Sequence, residues 1–264
     1  MDSAYYRSYR KLELEHWWFR GRETILRKLV AETVADSGEA EPGRTRILNV
    51  GAATGRTSEW LGEFGEVVSV EYNRDCARMA EEFTGLEMTV ASAEDLPYPD
   101  NSFDLVTAFD VIEHIEDHQR AVDEMARVVR EGGAIFVTVP AFPFLWSEHD
   151  DINHHYRRYR PKELPSLFGE MSTRRQGYFN FLLFPPIALV RVVSTFLRRW
   201  RSRDMGGPQS DFEISQPGVI SRCLENVLIM EGRLIAKGWR FPFGVSEFLV
   251  ARKEAEARET AVPK

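Results

Sequence analysis

The segment Ile47-Leu48-Asn49-Val50-Gly51-Ala52-Ala53-Thr54-Gly55 constrains this chain more than any other. An apolar run long enough for a buried strand breaks off into a turn of small residues. Twenty positions after Gly51, a second apolar run, Val67-Val68-Ser69-Val70, ends on Glu71. In an open parallel α/β sheet, ligands lie beyond the carboxyl ends of the strands, and small residues let the backbone approach them closely. A carboxylate at the end of the second strand is placed to accept the two hydroxyls of a ribose.

The turn narrows the choice of ligand. A dinucleotide fingerprint would need glycines at 51, 53 and 56, the third letting a helix end hold a pyrophosphate. Here Ala53 and Arg56 stand at the second and third positions, and the pattern is G-x-A-x-G. That suits a nucleoside ligand without a pyrophosphate. Downstream, strands are expected near 46–50, 66–71, 87–90, 103–109 and 133–139, with helices near 55–63, 74–83 and 117–130. Such alternation implies right-handed crossovers and a parallel sheet. Gly51, Glu71, Ser92 and Asp110 then share the rim where ligands bind.

The segments Ala91-Ser92-Ala93-Glu94-Asp95-Leu96-Pro97, Asn101-Ser102-Phe103-Asp104-Leu105-Val106, Asp110-Val111-Ile112-Glu113-His114 and Arg130-Glu131-Gly132-Gly133-Ala134-Ile135 follow in order. Together with the turn they resemble class I S-adenosylmethionine-dependent methyltransferases of the ubiquinone/menaquinone-biosynthesis-like group. The resemblance spans roughly residues 45–140. It implies a doubly wound, seven-stranded, mostly parallel Rossmann-like sheet with closing strands near 174–180 and 245–251. A helical arm (1–44) would precede the domain (45–253), helical cap insertions would lie at 141–162 and 181–240, and a flexible tail (254–264) would follow. The implied cofactor is S-adenosyl-L-methionine (SAM), with S-adenosyl-L-homocysteine as product. Its expected contacts are Gly51, Ala52, Ala53, Gly55, Glu71, Tyr72, Ser92, Ala93, Glu94 and Asp110. From the arm, Trp18 and Arg22 would close over it, with Arg20 or Arg22 pairing the methionine carboxylate. The sequence departs from the family at Asn49, where an acid is usual, at Ala53, where glycine is usual, and at Ser92, where many relatives carry Asp.

Methyl transfer from a sulfonium needs alignment, a dry pocket and, for a hydroxyl acceptor, a base. His114, just past the fourth strand, and His155 are the base candidates; the plainer reading of His114 is a helix-start residue. The cluster His149-Asp150-Asp151-Ile152-Asn153-His154-His155-Tyr156-Arg157-Arg158-Tyr159 either faces the acceptor or is a structural loop whose charges pair with each other. In it His154, Arg158 and Tyr159 are the substrate-binding candidates, with Arg157 the alternative to Arg158 for an anionic group. Its spacing matches no strong metal pattern, so no metal is expected. Both this H-x-R-R-Y string and the arm's His16-Trp17-Trp18-Phe19 resemble the same methyltransferase group.

A net charge of −7 argues against nucleic acid as a partner. The two cysteines, Cys76 and Cys223, lie far apart and fit a reducing, cytoplasmic setting. The expected partner is therefore a small-molecule acceptor with some apolar bulk, O-methylated. Residues 5–35 read as one helix. Residues 187–200 read as a helix with Arg191, Ser194, Thr195 and Arg198 on one face and Leu189, Val193, Phe196 and Leu197 away from it. Its apolar side would close the acceptor pocket; a weak peripheral membrane contact is the alternative. Two other functions stay open: a SAM fold with altered or lost methyl transfer, and a membrane-peripheral module using residues 187–203.

Overall fold

The computed structural model describes residues 3–36, 45–200 and 218–254. Seven strands form one sheet: β1 (Arg46–Val50), β2 (Glu66–Glu71), β3 (Met88–Val90), β4 (Phe103–Phe109), β5 (Val129–Pro140), β6 (Ser172–Phe179) and β7 (Ser246–Arg252). Their spatial order is β3-β2-β1-β4-β5-β7-β6. All neighbours are parallel except β7, which runs antiparallel to both β5 and β6. The order reverses beside β1, which opens a crevice at the ends of β1 and β4.

The strands read as continuous apolar runs because both faces are covered. Leu48, Val50, Val106, Ile135 and Val137 point to one face and pack on α5 (His118–Val128). Ile47, Leu105, Phe136 and Val250 point to the other and pack on α2 (Trp17–Ala35) and α9 (Val219–Ala236). Asn49, one of the departures from the family, lies in this second layer, 1% exposed. Its Nδ2 donates to Ser58 Oγ at 2.9 Å and its Oδ1 accepts from Thr107 Oγ1 at 3.2 Å. Ser58 belongs to α3 (Arg56–Leu61), so the polar knot ties that helix to the sheet.

The expected single helix over 5–35 is two. α1 (Ser3–Glu15) and α2 meet at His16, whose backbone is extended (φ −78°, ψ 133°) and whose Nδ1 accepts from the Trp18 N–H at 3.3 Å. A side chain that satisfies an orphan N–H at a helix start interrupts the helix before it. The arm is fixed by ion pairs: Arg10 with Glu59 at 2.8 Å and Glu23 with Arg56 at 2.8 Å. It is also fixed by a close crossing of α2 over α9. A Cβ on Gly21 would stand 2.6 Å from Leu228 Cβ, and one on Gly232 would stand 2.9 Å from Ile25 Cγ1. The sheet-covering helices α3, α4 (Arg74–Thr84) and α5 match the expected spans closely. After β5, the insertion carries the short α6 (Glu148–Ile152), and α7 (Glu163–Ser166) follows it.

α8 (Phe184–Trp200) departs from expectation. Arg191, placed by the sequence on an outward polar face, is buried and donates from Nη1 to the Leu145 carbonyl at 2.8 Å. Leu189 and Val193, expected to close the pocket, are exposed. The helix is rotated because Arg191 finds a carbonyl inside, whereas among the described residues no layer covers Leu189 and Val193. The side chains of Thr195, Phe196, Leu197 and Arg198, the loop 201–217, the linker 37–44 and most of the tail fall outside the described residues, as does the latter part of the expected membrane-facing segment.

Candidate active site

A cavity of about 790 Å³ opens at the carboxyl ends of β1 and β4. Its wall is assembled from distant parts of the chain: Glu13, His16, Trp18 and Arg22 from the arm, Gly51–Ala53 from the turn, and Asp110, Glu113 and His114 from the segment after β4. His149, Asn153, His155 and Arg158 come from the insertion, and Ile187, Val190 and Arg191 from α8. Its size is that of a site for a small-molecule ligand.

The turn is held from beneath by Glu71. One carboxylate oxygen accepts the Ala53 N–H and the other the Asn73 N–H, both at 2.9 Å. Burial pushes the Glu71 carboxyl up, against the lowering effect of these backbone bonds. The Tyr72 N–H bears on the same carboxylate, and Glu71 does not line the main cavity; of the carboxylate's four lone pairs, one is left for a further donor. Gly51 sits at φ +71° and Ala53 at φ 48°, both left-handed. A Cβ at Gly51 would come within 2.5 Å of Val111 Cγ2. Gly51 therefore serves packing as well as ligand approach.

Across the crevice, Arg22 Nη2 meets Asp110 Oδ2 at 2.5 Å, and its guanidinium lies 5.3 Å from the centre of the Trp18 ring. Among the described residues the buried Nε of Arg22 has no acceptor. A donor left over in a cavity wall fits a ligand carboxylate. Glu13, a residue the sequence analysis missed, is hydrogen-bonded by the Thr54 hydroxyl inside the turn. Burial pushes its carboxyl up to about 7.

The histidines come together. His114 and His155 lie edge to face, with ring centres 4.5 Å apart. His155 Nδ1 is 2.9 Å from Asp150 Oδ1, which also accepts from Arg158 Nε at 2.8 Å. Burial works to raise the Asp150 carboxyl, but the bonds from His155 and Arg158 hold it well below the usual carboxylate range. Desolvation at the cavity wall pushes the His114 imidazole down to about 4. Beside them Glu113 is fully buried, and burial followed by the neighbouring Asp110 raises its carboxyl well above the usual range.

Not every expected residue reaches the cavity. Tyr159 does not: it is 1% exposed in the core beneath the insertion, its hydroxyl 2.8 Å from His118 Nδ1. An aromatic ring of that size gains more from the apolar layer of α5 than from a wet rim. His154 is exposed, at φ 56°, on the outside of the insertion. Arg158 lines the cavity but serves Asp150; Arg157 turns away and donates to the Glu116 carbonyl at 2.8 Å. Gly55 lies at φ +84° where a Cβ would meet Thr84 and Met88, so it permits close packing rather than touching the cavity. Tyr72 is 78% exposed, and with Ser92, Ala93 and Glu94 it flanks the rim outside the main cavity. Ser92 Oγ accepts the Glu94 N–H at 3.1 Å and shapes that loop.

Glu13 and Asp150 could be found only by folding. Glu13 is an ordinary acid in the sequence whose partner, Thr54, comes from another segment; Asp150 has its partners, His155 and Arg158, in its own loop, but nothing in the loop's sequence says that they turn toward it.

Comparison with known proteins agrees with this arrangement. Residues 48–137 match the model of the methyltransferase domain. A Mycobacterium tuberculosis protein named a probable S-adenosylmethionine-dependent methyltransferase is 30% identical over 59% of this chain and 55% of its own length. The ubiquinone/menaquinone biosynthesis C-methyltransferase of Cronobacter sakazakii is 30% identical over 52% of this chain and 57% of its own. The chain thus spans little more than half the length of these relatives. Among solved structures, a chain from the complex of the Haloferax volcanii Trm112 methyltransferase activator with a methyltransferase shares the fold. It has a TM-score of 0.60 at 15% identity, over 96% of both chains. With the sheet order, the G-x-A-x-G turn and its Glu71 support all in place, residues 48–137 match the methyltransferase domain family.

Proposed function

We propose that this protein transfers a methyl group from SAM to a hydroxyl of a small or lipid-like acceptor held in the cavity. The observation that carries this reading is the imidazole pair, His114 and His155, on the wall of the same cavity that the cofactor turn enters. Bound SAM supplies a methyl already activated by its positive sulfur. The protein's work is then alignment, exclusion of water and handling of the acceptor proton.

In this reading Glu71 accepts a ribose hydroxyl, the backbone of Gly51–Ala53 lies against the methionine part, and Arg22 receives its carboxylate. Ser92, Ala93, Glu94 and Tyr72 border the adenine. His155, oriented by Asp150, and His114 face the acceptor oxygen. The arm and α8 shield the reacting atoms from water. The acceptor carries some apolar bulk, because the wall includes Trp17, Trp18, Phe109, Leu183 and Ile187. Val190 and Ile220 line the cavity and are also exposed, so the mouth itself is apolar. That favours a lipid-like acceptor, and the weak membrane-surface contact of α8 follows the same observation. Among the described residues no helix is long and apolar enough to cross a membrane.

The test is calorimetric titration with SAM, followed by incubation with methyl-labelled SAM and a panel of phenolic, quinol and lipid hydroxyl acceptors. Binding with label on oxygen supports the reading. Label on carbon, as the name of the C-methyltransferase relative suggests, would overturn the oxygen assignment. Binding without transfer to any acceptor would favour a SAM fold that has lost methyl transfer.

A further inference from the structure

Glu113 has no place in a proton-transfer scheme, and its setting is unusual. It is 0% exposed, and among the described residues neither carboxylate oxygen has a hydrogen-bond partner beyond its own backbone N–H. A buried carboxylate without partners is costly unless a positive charge meets it. The charges of Asp110, Arg22 and Arg158 bear on it, and two imidazoles stand beside it. Glu113, His114 and His155 each offer one ligand atom, and these atoms lie within 4.8 Å of one another.

The outer atoms of this cluster are arranged as in metal sites. A ligating histidine fixes its ring by donating its other N–H to a carboxylate or a carbonyl. His155 does so to Asp150 Oδ1 at 2.9 Å, and Asp150 is held in turn by Arg158 and the Ser147 N–H. His114 does so to the backbone carbonyl of Asn153. Each ring therefore has one nitrogen anchored and one left for the interior of the cluster. The two segments are also joined directly, since the Tyr156 N–H donates to the Glu113 carbonyl at 2.8 Å. Ligands around a tetrahedral zinc stand about 3.3 Å apart, so side-chain rotations of about an ångström would complete the set.

We propose that Glu113, His114 and His155 bind one divalent cation of the zinc, cobalt or manganese class, with open positions toward the cavity for the acceptor hydroxyl. Two histidines and one carboxylate with an open position form the donor set of catalytic rather than structural sites. The proposal rests on the methyl-transfer reading and changes its chemistry: the imidazoles act on the acceptor through the cation. The cation lowers the pKa of the bound hydroxyl, whose proton leaves to solvent through the mouth. The resulting oxygen anion attacks the methyl carbon. An O–C bond forms as the C–S bond breaks, and the bonding pair returns to sulfur, leaving neutral S-adenosylhomocysteine.

The test uses the full chain, stripped with chelator and titrated with cobalt(II) chloride while its visible absorption is followed, then competed with zinc. One cobalt per chain is expected, with a tetrahedral or five-coordinate spectrum. His114→Ala, whose ring faces the cavity, should weaken cobalt binding about 100-fold, and Glu113→Gln and His155→Ala should do the same. Asp150→Asn should weaken it about 10–100-fold, the range for a residue that orients a ligand. His118→Ala, outside the cluster, should change nothing. Thermal melts of each variant establish that it is folded. Cobalt binding that is absent, or equal in wild type and His114→Ala, overturns the site. SAM affinity of the stripped protein is measured separately. If SAM binds and methyl transfer survives chelation undiminished, the cation is refuted and the histidines act as bases. If cobalt binds but SAM does not, the site stands and the methyl-transfer reading fails.

Discussion

Glu13 joins the arm to the cofactor turn, and its charge state should set how firmly. Its carboxyl is buried against Thr54, and burial raises it from 4.5 to about 7, against the lowering effects of the Thr54 hydroxyl and of Arg10, Arg22 and Arg56. A carboxyl raised on folding binds its proton more tightly in the native state. The stability it contributes is therefore complete below pH 4.5 and is lost as pH rises to about 7. Across that window the loss amounts to about 3 kcal/mol, at 1.36 kcal/mol per pH unit, of which about 2 kcal/mol falls between roughly pH 5.5 and 8.5. Glu13→Gln keeps the shape and the acceptor for Thr54 but cannot ionise. Urea unfolding of both proteins at the two pH values measures the difference. The variant should gain about 2 kcal/mol on wild type between the acidic and the alkaline measurement. An unchanged stability gap would mean that Glu13 ionises without penalty, and the account of the arm's docking would be wrong.

Glu71→Ala removes a carboxylate that holds the turn through Ala53 and that would accept a ribose hydroxyl. SAM affinity should fall by about 1.5–3 kcal/mol in calorimetric titration, the range for hydrogen bonds to a charged group. Gly232→Ala forces a methyl to within 2.9 Å of Ile25 Cγ1 and should lower unfolding stability by about 1–3 kcal/mol; an unchanged denaturation midpoint would mean that α2 and α9 can slide apart freely. Gly51→Val places a β-branched residue at φ +71° against Val111. It should lower the melting temperature together with SAM binding, where a purely local role would lower binding alone.

The central sheet was legible because its strands are short, buried on both faces and punctuated by turns; β1, β2 and β4 lie at the expected positions. The placement of the Gly51–Gly55 turn and of Glu71 was legible for the same reason, since a parallel sheet places every strand end on one rim. The break at His16 was not, because it depends on one side chain capping Trp18 rather than on the apolar period. The rotation of α8 was hidden because a buried arginine looks like a surface arginine until a carbonyl such as that of Leu145 is brought to it. The insertion misled in a different way. In His149–Tyr159 the residue types were informative but their directions were not, and a loop without periodicity gives no rule for which side chains turn inward. His155 turned toward the cavity, whereas Tyr159 went to the core and His154 to solvent.

The crossing of α2 over α9 has a consequence for how the chain is made. Gly21 packs on Leu228 and Ile25 on Gly232, partners separated by some two hundred residues. A ribosome delivers the N-terminal helices long before α9 exists. At synthesis rates of about 5–20 residues per second the arm waits roughly ten seconds or more for its partner. During that interval the apolar side of α2, including Ile25, Leu26 and Leu29, has no permanent cover. Contacts this distant along the chain form late. The cavity is therefore completed last, and a nascent chain truncated before α9 should be held by chaperones rather than by its cofactor.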